Sequence, residues 1–320
     1  MKKEVKLTIP YRILSFQGEP EDELYLPAFK GSTFRGVLGR TLRKALCALK
    51  TFKNCRECPL YQSCYYAYIF ETIPDSSKPL PFNFHKYPSI PHPYVLEPPE
   101  EQKTLYQKGE AFTLQILLFG KATEYVPHFV LALQLAGEHG VGKGNKKFRI
   151  NNYSVSTGEL NITVEEPVKE ASPPDQELTL DFATPLRLVY QGKLVKKLEF
   201  HYLIRNLLRR VTSIYYFHCN PHLPEIPVNL LLSLAEKVEI KEENLYWMDW
   251  ERYSYRQGRR MLLGGLVGRV TFVGPLAPFY SILKAGELLH LGKNTSFGLG
   301  KYKILYEGSP YEDHLPNRKA

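Results

Sequence analysis

A chain of 320 residues predicts about two domains at roughly 150 residues each. Its apolar fraction of 43% and charged fraction of 23% exclude a disordered tail, a collagen-like chain and a coiled coil. The net charge of +9 favours a polyanionic partner. No apolar run approaches the roughly 18 residues that cross a bilayer, and the N-terminal lysines precede no apolar signal segment, so we expect a cytoplasmic protein with no membrane partner.

The first half of the chain predicts alternating strands and helices. Apolar alternation indicates a strand at residues 3–16, and an apolar stripe of helical period indicates a helix capped by Ser32. Eight prolines between Pro74 and Pro99 indicate an extended loop, because proline interrupts strand ladders. The remaining predicted elements are a strand at Phe112–Phe119, a helix at 127–138 and a closing hairpin at 147–164.

The second half predicts the same order of elements. Its expected strands lie at 178–189, 238–250, 261–273 and 301–305, and its expected helices at 198–217, 230–236 and 278–290. Residues 165–177 separate the halves and contain Pro173 and Pro174. We therefore expect an N-terminal domain at 1–170, with a Cys-rich insertion and a Pro-rich loop, and a C-terminal domain at 178–307.

One pattern occurs twice along the chain: a helix opened by proline, a Gly-rich turn, then a basic-aromatic strand. The first copy runs from Pro127 to Ile150 and the second from Pro278 to Ile304. The order strand–helix–strand–strand–helix–strand in each half is that of the ferredoxin-like fold. The predicted class is α+β, with two tandem ferredoxin-like (RRM-like) domains; the alternative is chance similarity of two short Gly-containing segments.

Positive charge is concentrated in three stretches. Residues 30–58 contain eight Lys or Arg against one acid, residues 187–210 contain seven against one, and residues 252–269 contain five against none. One such stretch is explained by a solvated surface. Three of them, one beside a Gly-rich segment, favour nucleic acid as the partner.

The Gly-rich segment 292–302 adds features suited to single-stranded nucleic acid. Glycines let the backbone approach a ligand closely, so that exposed N–H groups can hold a phosphate. Lys293 and Lys301 add charge, while Phe297 and Tyr302 offer faces for stacked bases. The residue order is neither that of a P-loop nor that of a dinucleotide-binding loop. With the basic stretches, the segment favours RNA over a simple tight turn.

Four of the five cysteines fall within 18 residues, at Cys47, Cys55, Cys58 and Cys64. The C-x2-C pair can place two thiolates on one ion, and four thiolates complete a tetrahedral zinc site. The spacing predicts a structural zinc site with no open position for chemistry, and an iron–sulfur cluster fits the same count. Reduced thiols are the alternative, and disulfides are disfavoured in an ordinary cytoplasm.

Several motifs resemble one known superfamily. The segment G-x-x-F-R-G-V-L-G from Gly31 resembles the entry helix of RAMP-type CRISPR-associated proteins. The segments W-E-R-Y-S-x-R-Q from Trp250, G-G-L-x-G from Gly264 and H-L-G-K-x-T-x-F-G-L-G-K-Y from His290 resemble the C-terminal domain of its pre-crRNA-processing endoribonucleases. The resemblance extends from about residue 28 to about residue 305, and its last 60 residues or so are the most specific.

The resemblance implies a partner and a reaction. The partner is CRISPR repeat RNA, or the precursor guide RNA that contains it, and other CRISPR effector subunits are further partners. The implied reaction is cleavage that needs no cofactor and leaves a 2′,3′-cyclic phosphate. The RNA would be held between the domains, near the first helix and the Gly-rich segment.

The sequence departs from this superfamily on the first helix, where many members carry a catalytic histidine and residues 32–50 contain none. The candidate catalytic residues are therefore Lys30, Lys44 and His290, because cations can stabilise the phosphorane charge and an imidazole can transfer protons. Their alternative roles are phosphate neutralisation for the lysines and a contact with the helix dipole for His290. The expected RNA-binding residues are Arg35, Arg40, Arg43, Arg205, Arg209, Arg256, Arg260, Lys293, Phe297 and Lys301.

Two alternatives to the nuclease function arise from the same features: a non-catalytic RNA-binding subunit and a DNA-binding module. The missing histidine favours a non-catalytic RNA-binding RAMP subunit of a CRISPR effector complex, whereas the C-terminal motifs favour the nuclease. A zinc-stabilised DNA-binding module fits the charge and the cysteines but leaves the two Gly-rich segments unexplained.

Overall fold

The computed structural model describes residues 4–75, 90–165, 176–254 and 259–305. The chain forms two compact units. The N-terminal unit contains Ile9–Glu159 and Ser213–Leu223. The C-terminal unit contains Leu160–Thr212, the described residues from Pro224 onward and the start of the first strand. Within the described residues, no helix has both the length and the apolar character needed to span a membrane.

The first sheet and its helices follow the ferredoxin-like order. The elements are β1 (Glu4–Pro20), α1 (Gly31–Leu46), β2 (Tyr94–Glu97), β3 (Phe112–Phe119), α2 (Val126–His139) and β4 (Phe148–Glu165). The strand order across the sheet is β2-β3-β1-β4. The central strands β1 and β3 are antiparallel, with Leu14 opposite Ile116, and both of these side chains are fully buried.

Helix α1 is held to the first sheet by one apolar stripe. Phe34, Val37, Leu38 and Leu42 recur at helical spacing and are all buried. The ring of Phe34 lies 5.6 Å from that of Phe112 on β3. This stripe fixes the rotation of the helix, and Arg40 and Lys44, which lie between its members, are turned towards solvent.

The second sheet repeats the same plan. The elements are β5 (Gln176–Leu186), α3 (Phe200–His218), α4 (Val228–Ala235), β6 (Glu239–Met248), β7 (Glu251–Ser254), β8 (Arg259–Leu262), β9 (Gly265–Gly274), α5 (Tyr280–Leu289) and β10 (Tyr302–Leu305). The four-stranded sheet has the order β6-β9-β5-β10, and β7 pairs with β8 in a separate ladder. Two-residue strands form the ladders Leu24–Tyr25 with Leu105–Tyr106 and Val189–Tyr190 with Lys193–Leu194. Short helical segments of three to six residues lie at Cys55–Glu57, Ala67–Glu71, Gly120–Tyr125, Ala277–Phe279 and Thr295–Phe297.

The predicted α+β class with tandem ferredoxin-like domains is confirmed. In both four-stranded sheets the second, third, first and fourth strands of the motif lie side by side in that order, as the repeated pattern predicts. The domain ranges 1–170 and 178–307 stay predictions, because most of the expected boundary falls on residues 166–175, outside the described residues.

Three local predictions in the first half are wrong. The expected hairpin at 147–164 is one strand of 18 residues, β4. Gly158 does not form a turn there. A Cβ at this position would lie 2.5 Å from the Tyr11 hydroxyl, so the glycine allows the Tyr11 side chain to lie close to the backbone of β4. Ser32 lies inside the first turn of α1, whose N-cap is Lys30. The Pro-rich stretch contains the buried strand β2, because Pro93 and Pro98 flank it without interrupting it.

The expected strand at 261–273 is also wrong in one respect. It is divided into β8 and β9, which join different ladders. The break falls at Gly264, where a Cβ would lie 2.0 Å from Oδ1 of Asp249.

Candidate nucleic-acid interface

The solvent-exposed side of α1 presents two cations one helical turn apart, Arg40 and Lys44. Lys44 lies in the last turn, where the helix dipole favours positive charge. Its Nζ is 2.8 Å from Nε2 of His139, the last residue of α2. The Nδ1 atom of His139 is 2.9 Å from the carbonyl oxygen of Leu135. The fold thus joins a lysine and a histidine that are 95 positions apart in the sequence.

The turn after α2 extends this basic surface. It follows His139 directly and contains Lys143, Lys146 and Lys147. The turn is closed by paired backbone hydrogen bonds of 2.9 and 3.0 Å between Val141 and Lys146. Lys143 and Lys147 are exposed, so that both can contact an anion.

Lys30 has a different environment from Lys44. It is only 1% exposed, and its Nζ donates a hydrogen bond to the carbonyl oxygen of Glu101. Burial lowers the pKa of Lys30, and the charge of Glu101 partly opposes this effect. The side chain therefore fixes the start of α1 to a neighbouring loop and does not face solvent.

Arg35 and Arg43 also bind the protein itself. The guanidinium of Arg35 lies 4.3 Å above the ring of Phe70, and its Nη2 is 3.1 Å from Nε2 of His92. Arg43 donates from Nη2 to the carbonyl oxygen of Phe52 at 2.6 Å. Both arginines are half-buried, so they stabilise the surroundings of α1 and present only part of their surface to a ligand.

The Gly-rich loop of the C-terminal unit is held by hydrogen bonds that its backbone N–H groups donate to residues 184–187. The N–H of Lys293 donates to the carbonyl oxygen of Arg187 at 2.9 Å, and that of Gly300 to Pro185 at 3.2 Å. The N–H of Lys301 donates to Oγ1 of Thr184 at 2.9 Å. These donors are therefore not free to hold a phosphate, contrary to the sequence expectation. The side chain of Lys293 is exposed and is the accessible cation of the loop.

His290 and Arg210 stabilise the entry to this loop. His290 is fully buried, and its Nδ1 is 3.2 Å from the carbonyl oxygen of Leu299. Arg210 is also buried and donates from Nε and Nη2 to the carbonyl oxygen of Leu289 at 3.2 and 3.1 Å. Burial lowers the pKa of Arg210 to about 10. Arg210 thus binds the last carbonyl of α5, one residue before His290, where the helix dipole is negative.

The remaining predicted RNA-binding residues differ in exposure. Arg205 is exposed, with its guanidinium 5.8 Å from the ring of Tyr190. The half-buried residues are Arg209, Phe297 and Lys301. Arg256 lies outside the described residues, and Arg260 lies on β8.

Two residues of interest were not singled out from the sequence. Arg187 donates from Nη1 to the carbonyl oxygen of Gly264, while its buried Nε has no hydrogen-bond partner among the described residues. Arg187 belongs to the second basic stretch, which was its only signal. His139 lies at the end of the helix in the first copy of the repeat, as His290 lies near the end of the helix in the second, and this similarity was the available signal.

The cysteine cluster does not support the predicted zinc or iron–sulfur site. Cys47, Cys55, Cys58 and Cys64 are free, half-buried thiols. Across the part of the chain that the structure describes, no group of three or more His, Cys, Asp or Glu side chains is placed to hold a metal ion. Burial raises the pKa of the Cys55 thiol, and the charge of Glu71 raises it further.

Two family models match the chain. Residues 9–175, about half of the chain, match AF_1859_N, described as an N-terminal domain. Residues 180–302, which contain the Gly-rich loop, match the CRISPR-associated endoribonuclease Cas6. This chain belongs to the AF_1859_N family, and its residues 180–302 are similar to the Cas6 endoribonucleases. The predicted resemblance is thereby confirmed, and RNA cleavage is the activity of the Cas6 endoribonucleases that these residues match.

Similar proteins extend over nearly the whole chain. An uncharacterised protein of Archaeoglobus fulgidus is 27% identical over 301 residues, which cover 88% of this chain and 93% of that protein. Cas6 of Thermus thermophilus has a TM-score of 0.52 at 14% identity, covering 93% of this chain and 99% of its own. A Cas6 product complex gives a TM-score of 0.55 at 15% identity, with coverages of 92% and 99%. The structural likenesses show that the Cas6 fold is shared.

Proposed function

We propose that this chain is an endoribonuclease that binds CRISPR repeat RNA, cuts it once per repeat without a catalytic metal, and leaves a 2′,3′-cyclic phosphate. The observation that carries the proposal is the Cas6 family match of residues 180–302. The proposed partner is the precursor guide RNA, and other CRISPR effector subunits would receive its products. The cytoplasmic location stays a prediction from the sequence.

The chemistry needs little from the protein beyond cations, alignment and proton transfer. RNA carries its own nucleophile, the 2′-hydroxyl, so no metal-activated water is required. Cations near the non-bridging oxygens stabilise the phosphorane, positioning lowers the entropic part of the barrier, and proton transfer adds roughly 10²–10⁴-fold. Lys44 is the exposed member of the three candidate catalytic residues, and we assign it to direct contact with the RNA.

Lys30 and His290 are assigned positioning roles. Both are buried and hydrogen-bonded to backbone carbonyls, so each acts on RNA through the element that it fixes. Lys30 fixes the start of α1, and His290 fixes the Gly-rich loop. The exposed cations Arg40, Arg205 and Lys293 are proposed to contact phosphates.

A non-catalytic RNA-binding subunit is the second candidate function. The observation that favours it is that helix α1, Gly31–Leu46, contains no histidine. The two functions make opposite predictions about one assay. We expect the purified protein to cut labelled cognate repeat RNA at one position in EDTA, with an upstream product whose mass is that of a 2′,3′-cyclic phosphate. Tight binding with no cleavage would instead establish the non-catalytic subunit.

RNA binding is expected to depend steeply on salt, because phosphate neutralisation releases counterions. The slope of log affinity against log salt should be about −0.7 per neutralised phosphate on a single strand. We expect Lys293→Ala to weaken binding and to make this slope shallower by about that amount. The control is Lys108→Ala, which removes another exposed lysine, from a turn after the Pro-rich stretch, and should leave the slope unchanged. Binding independent of salt would contradict phosphate recognition.

A further inference from the structure

His139 is an exposed histidine at the junction of α2 and the basic turn 140–147. Its hydrogen bonds define which ring nitrogen is the acceptor. The carbonyl oxygen of Leu135 can only accept, so Nδ1 carries the hydrogen in the 2.9 Å contact. The ammonium of Lys44 can only donate, so Nε2 is the acceptor at 2.8 Å. These two contacts fit an imidazole with its hydrogen on Nδ1 and its acceptor nitrogen, Nε2, beside the Lys44 ammonium.

The surroundings of this pair attract a phosphodiester. Arg40 precedes Lys44 by one turn on the exposed side of α1, and Lys143 and Lys147 follow His139 in the turn. Glu138 is the single acidic residue between positions 136 and 147. An RNA backbone that approaches this surface meets a base and several cations at one place.

The other histidine of the internal repeat is placed differently. His290 is 0% exposed, with its Nδ1 directed at the carbonyl of Leu299. His139 ends the equivalent helix but is open to solvent. Of these two histidines, His139 is therefore the one that an RNA strand can reach.

Resting on the proposed RNA cleavage, we propose that His139 and Lys44 form its proton-transfer pair. The RNA phosphate draws the ammonium of Lys44 away from Nε2 of His139. Nε2 then takes the proton of the attacking 2′-hydroxyl as the O2′–P bond forms. The P–O5′ bond breaks, and Lys44 donates a proton to the departing O5′. Exchange of protons with water afterwards restores a neutral imidazole and an ammonium, so that the protons balance and nothing is oxidised or reduced.

Helix α1 contains no histidine, and in this pair α2 supplies the histidine while α1 supplies the lysine. Neither residue has to lie in the same element as the other, because α1 and α2 end side by side within one unit. The proposal therefore explains how an active enzyme can lack a histidine on α1.

The test compares single-turnover cleavage with binding of an uncleavable repeat RNA that carries one 2′-deoxy substitution. His139→Ala should slow cleavage by about 100-fold or more and leave affinity for the uncleavable RNA within about twofold. Added imidazole should restore part of the lost rate. His139→Gln keeps an acceptor for Lys44 but transfers no proton, so it should be as slow as His139→Ala. Lys44→Ala should also slow cleavage more than it weakens binding.

The control is His222→Ala, which removes another exposed histidine and should leave the rate unchanged. If the wild type cuts and His139→Ala cuts at a similar rate, the proton-transfer role is wrong while the nuclease function stands. If cleavage and binding fall together without imidazole rescue, His139 only binds RNA, and the proposal is again wrong. If the wild type binds but never cuts, the nuclease function itself is wrong, and this inference with it.

Discussion

Gly300→Ala is expected to lower the free energy of unfolding of the C-terminal unit by about 3 kcal/mol, since several of the large destabilising mechanisms coincide there. A Cβ at this position would lie 1.8 Å from the carbonyl oxygen of Leu291, which is backbone and cannot rotate away. The φ angle of +73° adds roughly 1–2 kcal/mol for an L side chain. The same substitution breaks the 3.0 Å hydrogen bond between the N–H of Leu291 and the carbonyl of Gly300.

Urea denaturation followed by circular dichroism measures this loss, and Gly36→Ala is the matched control. Gly36 lies inside α1, where a Cβ would meet nothing within 4 Å, so alanine should stabilise the protein by roughly 0.5–1 kcal/mol. We also expect Gly300→Ala to weaken RNA binding, because it distorts the loop that carries Lys293. Equal stability of the Gly300 and Gly36 variants would contradict the described loop geometry.

Phe34→Ala is expected to cost about 3–5 kcal/mol, the usual loss for truncating a buried aromatic side chain. Phe34 is fully buried, and its ring lies 5.6 Å from Phe112 and 6.4 Å from Phe148. The substitution leaves a cavity between α1 and the first sheet. Because α1 also carries Arg40 and Lys44, the variant should lose RNA binding at temperatures where the wild type still binds.

Thermal unfolding is the measurement for this variant. Arg40→Ala changes an exposed side chain of the same helix and should leave the melting temperature unchanged while weakening RNA binding. A Phe34→Ala variant as stable as the wild type would show that α1 does not pack as described.

The repeated pattern of elements was predictable because it depends on local periodicity. Phe112–Phe119 is a strand with the predicted bounds, since its apolar run is long and its flanks are clear. The strand β2 was missed because its four buried residues are too few to outweigh the prolines around them. The hairpin prediction for 147–164 is wrong because Gly158 makes room for the Tyr11 side chain and does not form a turn. A contact between residues so far apart in the sequence leaves no local pattern.

The candidate site was less predictable, because exposure depends on tertiary packing. Lys30 and Lys44 are both lysines of the first basic stretch, yet one is buried against Glu101 and the other is exposed. The contact between Lys44 and His139 joins residues on different helices, and no local pattern predicts it. The zinc prediction relied on spacing alone, which does not determine whether thiols converge on one point.

The claim that the RNA supplies its own nucleophile is tested most directly by one atom of the substrate. Cognate repeat RNA with a single 2′-deoxy nucleotide at the cut site, and the unmodified RNA, would each be incubated with the protein in EDTA. This claim predicts that the unmodified RNA is cut once per repeat and that the 2′-deoxy RNA is bound but left intact. Cleavage of the 2′-deoxy RNA, or cleavage of the unmodified RNA only when Mg²⁺ is added, would contradict it.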